Sequence, residues 1–134
     1  MKLDSLRSPD KYRKEVFARD KYTCQYCGNK VVSKELLSAY SKVVGKENFT
    51  AVGTTNQSRH GIVLGFRANA DHIDPWTRGG KTSLENLVAC CWSCNYGKSS
   101  YTLEELGINS PRDNLKTNND WNGLIEYIPL LKKI

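Results

Sequence analysis

Four of the five cysteines in this chain of 134 residues fall into two Cys-x-x-Cys pairs. Together they offer four thiolates, the ligand set that suits tetrahedral Zn²⁺, although a redox pair or free thiols are the alternative. The residues between the pairs, 28 to 90, far outnumber the roughly 15–20 of a compact zinc ribbon. We therefore expect a structural zinc that ties an N-terminal segment to a central one through four ligands: Cys24, Cys27, Cys91 and Cys94.

A second set of polar residues stands close to the second cysteine pair. Asp71 offers a hard oxygen for Mg²⁺ or Mn²⁺, and Asn95, directly after Cys94, offers another. His72 is left as a general base, because an imidazole with an ordinary pKa of about 6.5 accepts a proton from water near neutral pH. Such a set would hydrolyse a phosphodiester, with the cation offsetting charge on the phosphate and the leaving oxygen.

The geometry of this second set depends on how one strand ends. Asp71 and His72 are adjacent, so a regular strand would point them to opposite faces. We expect a twist before Pro75 to turn both toward one cleft. Asn86 lies too far along the loop to be an obvious metal ligand, and its amide is expected to support the loop that carries His72.

The charge of the chain points to a polyanionic partner. There are 20 basic and 14 acidic residues, a net charge of +6, which favours nucleic acid, with a solvated surface as the alternative. Candidate phosphate contacts are Arg78, Lys81 and Lys98. The basic flank of the first predicted helix is either a further phosphate contact or a solvated face, and comprises Lys11, Arg13, Lys14 and Arg19.

Length and hydropathy narrow the class of protein. A chain of 134 residues fits one domain, and the composition is ordinary for a globular protein. No apolar run approaches the roughly 18 residues of a membrane span, and the N-terminus has no apolar signal core. We therefore expect a soluble, cytoplasmic protein without a membrane partner, in which paired cysteines bind metal rather than form disulfides.

Local patterns predict the elements that must position these residues. Helices are predicted over 10–19, 33–44, 91–99 and 121–127, with a further turn or two after the Thr102-x-x-Glu105 capping box. Strands are predicted over 61–66, 68–73 and 87–90, and loops over 49–58, 76–85 and 109–119. Cys90 is assigned to the apolar core, and the lone His60 to a structural or exposed position.

Several motifs in the chain resemble those of the HNH endonuclease family. The matching residues are Asp71-His72-Ile73-x-Pro75, Gly79-Gly80, Asn86-Leu87 and Cys91-x-x-Cys94-Asn95-x-x-Lys98, and the lead-in 13–28 matches members with a Cys₄ zinc. The resemblance covers 13–28 and 70–100. It implies that Asp71 and Asn95 bind the catalytic Mg²⁺ or Mn²⁺, that His72 is the base and that Asn86 supports the loop.

The resemblance also implies a fold. We expect an α+β protein with a small ββα-metal (HNH) core, a Cys₄ zinc site, flanking helices and an inserted segment. The expected organisation is a single nuclease domain over 1–134, with a core at about 10–28 and 68–108, an insertion at about 29–67 and a C-terminal extension at about 109–134.

The resemblance implies metal-dependent cleavage of nucleic acid. We expect an endonuclease that cuts double-stranded DNA, of a restriction-type or phage-borne kind. One site cuts one strand, so a double-strand break would need a homodimer or two events. Two alternatives stay open: a zinc-stabilised nucleic-acid-binding module without catalysis, and a nuclease for RNA or branched DNA. The polar arm either reaches base edges or is a solvated loop, and its candidate residues are Arg112, Asn114, Asn118 and Asn119.

Overall fold

The computed structural model describes residues 6–51, 59–117 and 120–134. Its helices are α1 (Arg13–Arg19), α2 (Lys34–Val44), α3 (Gly61–Phe66), α4 (Trp92–Lys98), α5 (Leu103–Leu106) and α6 (Ile128–Lys132). Its strands are β1 (Ala68–His72) and β2 (Leu87–Cys91). Short 3₁₀ turns cover Asp10–Tyr12, Trp76–Arg78, Leu84–Asn86 and Ile125–Tyr127. No helix within these described ranges is long and apolar enough to cross a membrane.

The centre of the molecule is a ββα unit. β1 pairs antiparallel with β2, in a register that sets Ala68 opposite Cys91 and His72 opposite Leu87. Every residue of β2 is buried, and its last residue, Cys91, is also the N-cap of α4, where its Sγ accepts from the Cys94 amide at 3.4 Å. The predicted mixed fold with a strand, loop, strand and helix is thereby confirmed.

The first helix is held against this unit by Arg19 and Asp20, an ion pair in which the carboxylate is buried and the guanidinium partly exposed. Asp20 is fully buried and accepts from the Arg19 guanidinium at 2.7 Å and from the backbone amide of Ala89 in β2 at 2.8 Å. Arg19 also donates to the carbonyls of Leu84 and Leu87. Arg19 therefore stabilises the junction of α1 with β2, instead of serving as a cation on the basic flank.

Two apolar clusters form the interior. One joins α1, the first cysteine pair and both strands, and contains Cys90, which is fully buried. The other joins α2, α3 and α6, so residues 32–63 and 121–131 pack together. Trp92 contacts this second cluster, and the Trp121 indole donates to the Val31 carbonyl at 2.9 Å. The second cluster therefore borders the ββα unit at the start of α4.

Two of the predicted elements were wrong. Residues 61–66 are helix α3 and not a strand, because a short apolar run carries no period, and the His60 Nδ1 caps this helix by accepting from the Ile62 amide at 3.2 Å. The last helix does not fill 121–127. It is Ile128–Lys132 and contains Pro129, whose missing N–H is harmless in a first turn.

The other helix predictions agree with the structure. α2 starts after Ser33, whose side chain accepts from the Leu36 amide, and ends at Gly45. The capping box of Thr102 and Glu105 is present at α5. The loop predictions that fall on 52–58, and the proposed base contacts of Asn118 and Asn119, lie outside the described residues.

The buried ion pair leads to a stability prediction. Asp20→Ala removes the carboxylate and leaves the Ala89 amide without its acceptor, so we expect the free energy of unfolding to fall by about 3 kcal/mol. This is the low end of the range for a broken buried pair, because the Arg19 side chain is 35% exposed. Asp10→Ala is the control, since the pair of Asp10 with Arg13 is on the surface and should change stability by less than about 0.5 kcal/mol. Urea unfolding measures both, and an equal decrease in the two variants would contradict the assignment.

Candidate metal centre and catalytic cleft

The four paired cysteines meet at one point. Their Sγ atoms all lie within 4.8 Å of one another, and the Cys27 and Cys91 sulfurs are 3.9 Å apart. Tetrahedral bonds of about 2.3 Å to Zn²⁺ separate neighbouring sulfurs by about 3.8 Å. The cluster therefore has the donor set and the spacing of a closed structural zinc site, and it could hold that ion.

The four thiols are close enough for the charge of one to raise the pKa of another. Burial is the main reason that the pKa of the Cys27 thiol rises to about 11, and the charge of Cys24 adds to it. Burial and then the charge of Cys24 also raise the pKa of Cys94. Thiolates crowded in this way repel one another, and a divalent cation offsets that repulsion when it binds.

A cleft of about 620 Å³ opens beside this cluster. Its lining includes Asp71, His72 and Asn95, together with Trp76, Trp92 and Tyr96. Asp71 and His72 are the last two residues of β1, where the strand gives way to a bend before Pro75. The structure therefore brings both adjacent residues to one cleft, and α4 places Asn95 there one residue after Cys94.

Asp71 is held from one side by two donors. The Tyr26 hydroxyl donates to Oδ2 at 2.7 Å, and the Lys98 ammonium lies 3.2 Å from the same oxygen. Burial first, and then the charge of Asp71, raises the pKa of Tyr26 far above its usual value, so the hydroxyl stays protonated and donates. Among the described residues these contacts both use Oδ2, so Oδ1 is the oxygen left for a ligand.

The His72 ring is oriented by a relay through Thr82. The Thr82 hydroxyl donates to the Arg7 carbonyl at 2.9 Å and lies 2.8 Å from His72 Nε2. Because a hydroxyl has one proton, it accepts from Nε2–H, which leaves Nδ1 with the free lone pair. Burial is the main cause that lowers the pKa of His72 below its usual value, with Asp71 opposing the shift. The imidazole is therefore kept neutral.

The loop between the strands is closed by Asn86. Its Oδ1 accepts from the Asp74 amide at 2.9 Å, and its Nδ2 donates to the carbonyls of Asp74 and Lys81 at 3.0 and 2.7 Å. The backbone approaches so closely here that a Cβ on Gly80 would lie 1.7 Å from the Asp74 carbonyl oxygen. Arg112 donates to Asn86 Oδ1 at 2.9 Å, so Arg112 braces this loop from the C-terminal arm.

The three cations expected to bind phosphate are not among the residues that line the cleft. Lys98 is 4% exposed and donates to the His72 carbonyl at 2.7 Å, so its burial argues against a phosphate contact. Arg78 pairs with Glu105 at 3.0 Å, and Arg78 and Lys81 line a separate depression behind the loop. The sequence did not predict the contacts of Tyr26 with Asp71 and of Thr82 with His72. Only the position of Tyr26 inside the first Cys-x-x-Cys pair could have singled it out.

Comparison with known families gives one match. Residues 62–100 match HNH endonuclease. The matched segment begins in α3, contains both strands and ends just after α4, so it includes Asp71, His72, Asn86 and Asn95. This part of the chain is therefore similar to HNH endonuclease, and the four nearby cysteines are consistent with the cysteine-zinc subgroup. No curated protein and no solved structure matches the chain.

The thiol cluster leads to a prediction about metal content. We expect one zinc per chain by elemental analysis, and we expect a strong chelator to unfold much of the ββα unit as followed by circular dichroism. A structural zinc contributes about 10–16 kcal/mol of binding free energy in small peptides, while the free energy of unfolding of a whole domain is about 5–15 kcal/mol. Losing the metal should therefore remove most of the stability of the fold.

Two cysteine variants distinguish a zinc ligand from a cysteine of the apolar core. Cys27→Ser should reduce the zinc content, because Cys27 contributes a sulfur to the cluster. Cys90→Ala is the control and should keep one zinc, because Cys90 is buried in the apolar core outside the cluster. A chelated chain that keeps its full helical signal would contradict a structural zinc.

Proposed function

We propose that this chain is a metal-dependent endonuclease that hydrolyses the phosphodiester bonds of DNA. The observation that supports the proposal best is the convergence of Asp71, His72 and Asn95 on one cleft within an HNH domain. An acid and an amide oxygen suit a hard cation such as Mg²⁺ or Mn²⁺, and a neutral imidazole beside them suits removal of a proton from water. Binding alone would not need this combination.

Each residue has a separate task in the proposed reaction. Asp71 Oδ1 and the Asn95 side-chain oxygen would hold the cation, which when bound offsets charge on the scissile phosphate and the leaving 3′ oxygen. His72 Nδ1 takes the proton from the attacking water while Thr82 keeps the ring in position through Nε2. Asn86 preserves the loop between the strands that follows His72.

DNA is the proposed substrate, in double-stranded form, with the net charge of +6 as general support. One cleft accounts for cleavage of one strand, so a double-strand break would require two copies of the chain or two successive events. We propose a restriction-type or phage-borne role in the cytoplasm, where the five cysteines stay reduced.

The base assignment can be tested with the two histidines of the chain. His72→Ala should bind DNA but nick a supercoiled plasmid 10²–10⁴-fold more slowly in Mg²⁺ or Mn²⁺, about the contribution of a general base. His60→Ala is the matched control. His60 caps α3 outside the cleft, so its replacement should lower stability by about 1 kcal/mol and leave the nicking rate unchanged.

The outcomes separate the candidate functions. If His72→Ala nicks DNA at the parent rate, His72 is not the general base. DNA binding by the parent chain without nicking in any divalent metal would favour a binding module instead. Cleavage of RNA or branched DNA in preference to duplex would keep the chemistry and change the substrate.

The contact of Tyr26 with Asp71 gives a second prediction. Tyr26→Phe keeps the ring but removes the donor to Oδ2, so Asp71 is less firmly oriented for the cation. We expect the Mg²⁺ concentration for half-maximal nicking to rise about 10–100-fold, with a smaller change in rate at saturating Mg²⁺. Tyr101→Phe, at an exposed tyrosine, is the control. Zinc content should be unchanged in both variants, and an unaltered Mg²⁺ dependence would exclude a positioning role for Tyr26.

A further inference from the structure

Two arginines share one tryptophan at the end of the cleft. The guanidinium carbons of Arg59 and Arg67 lie 4.6 and 4.7 Å from the ring centroid of Trp92. Trp92 is in turn stacked on Tyr96, at 6.1 Å and an interplanar angle of 14°. Arg67, Trp92 and Tyr96 all line the same cleft as Asp71 and His72. The cleft therefore has a catalytic end and an arginine and aromatic end.

Within the described part of the chain, Arg67 carries its charge without a counter-ion. It forms no ion pair with a described carboxylate, and its buried Nε has no hydrogen-bond acceptor there. Burial, followed by the charges of Arg59 and Arg13, lowers the pKa of Arg67. A guanidinium that lines the cleft and has no counter-ion among the described residues favours an anion that enters from the cleft.

The position of Arg67 is fixed by its backbone. The flanking residues are hydrogen-bonded to Val32, from the Val32 amide to the Phe66 carbonyl and from the Ala68 amide to the Val32 carbonyl, each at 2.8 Å. The contact of the guanidinium with the Trp92 ring restricts the position of the side chain at the cleft. Four residues of extended chain, about 13 Å, separate Arg67 from Asp71. A nucleic-acid strand that crosses the cleft can reach both.

We infer that Arg67 binds a backbone phosphate of the nucleic acid, on a nucleotide that flanks the bond to be cut. The role of the flanking nucleotide rests on the proposed nuclease function, whereas phosphate binding by Arg67 does not. A guanidinium suits this ligand because its parallel N–H groups match two phosphate oxygens. Arg67, inside the segment that matches HNH endonuclease, thereby adds a substrate contact at a place where Arg78, Lys81 and Lys98 provide none.

The salt dependence of DNA binding tests this inference directly. Removing one phosphate-binding cation should reduce the slope of log affinity against log salt by about 0.9 on duplex and about 0.7 on a single strand. We would measure fluorescence anisotropy with a labelled duplex and the matching single strand, without divalent metal, so that no cleavage intervenes. Arg67→Met removes the charge but keeps an unbranched side chain, and we expect its affinity to fall about tenfold near 0.1 M salt, with the slope reduced by about one unit.

Two further variants make the result specific. Arg67→Lys retains the charge and should restore most of the slope but only part of the affinity, because an ammonium cannot bind bidentately. Lys42→Ala removes an exposed cation on α2 outside the cleft and should leave the slope unchanged. Thermal melting of each variant checks that the fold is retained.

Several outcomes would overturn the inference. They are an unchanged slope in Arg67→Met, an equal decrease in Lys42→Ala, or no binding of either nucleic acid by the parent chain. A parent chain that fails to nick DNA while its binding still depends on Arg67 would refute the proposed nuclease and leave the phosphate site standing. A parent chain that nicks DNA, but whose salt dependence of binding does not change in Arg67→Met, would refute the phosphate site and leave the proposed nuclease standing.

Discussion

The structure depends on the convergence of four sulfurs from two distant parts of the chain. The first pair lies on a turn after α1, and the second spans the end of β2 and the start of α4. A zinc at this point would fix more than the fold, because its neighbours in sequence are functional candidates. Tyr26 lies between Cys24 and Cys27 and contacts Asp71, while Asn95 directly follows Cys94. The cluster of four cysteines thus positions both proposed ligands of the second cation, Asp71 and Asn95.

Around the four-cysteine cluster, the polar side chains mainly form hydrogen bonds with backbone groups and so hold the loops in place. Asn86 holds both sides of the loop between the strands, and Lys98 joins the end of α4 to the His72 carbonyl. Thr82 determines which nitrogen of His72 bears the proton. These contacts fix the positions of the side chains that line the cleft, and fixed polar groups are what the proposed hydrolysis would need.

The inserted segment and the C-terminal extension have a common role in this architecture. They bury their apolar faces against each other in the cluster of α2, α3 and α6, and Trp92 connects that cluster to the cleft. Because α3 ends at Phe66, the chain enters β1 through Arg67 with its side chain against Trp92. Arg67, directly after α3, thus lines the cleft that holds Asp71 and His72.

The sequence by itself determined the ligand types, the order of strand, loop, strand and helix, and the helix caps at Ser33 and Thr102. These depend on spacing and on contacts within a few residues. Only the tertiary structure decided that 61–66 is a helix, that Lys98 is buried and that Arg67 stacks on Trp92. Short apolar runs have no period to read, and a cation looks the same in sequence whether exposed or buried. The contact of Tyr26 with Asp71 spans 45 positions, and no local pattern specifies a partner at that distance.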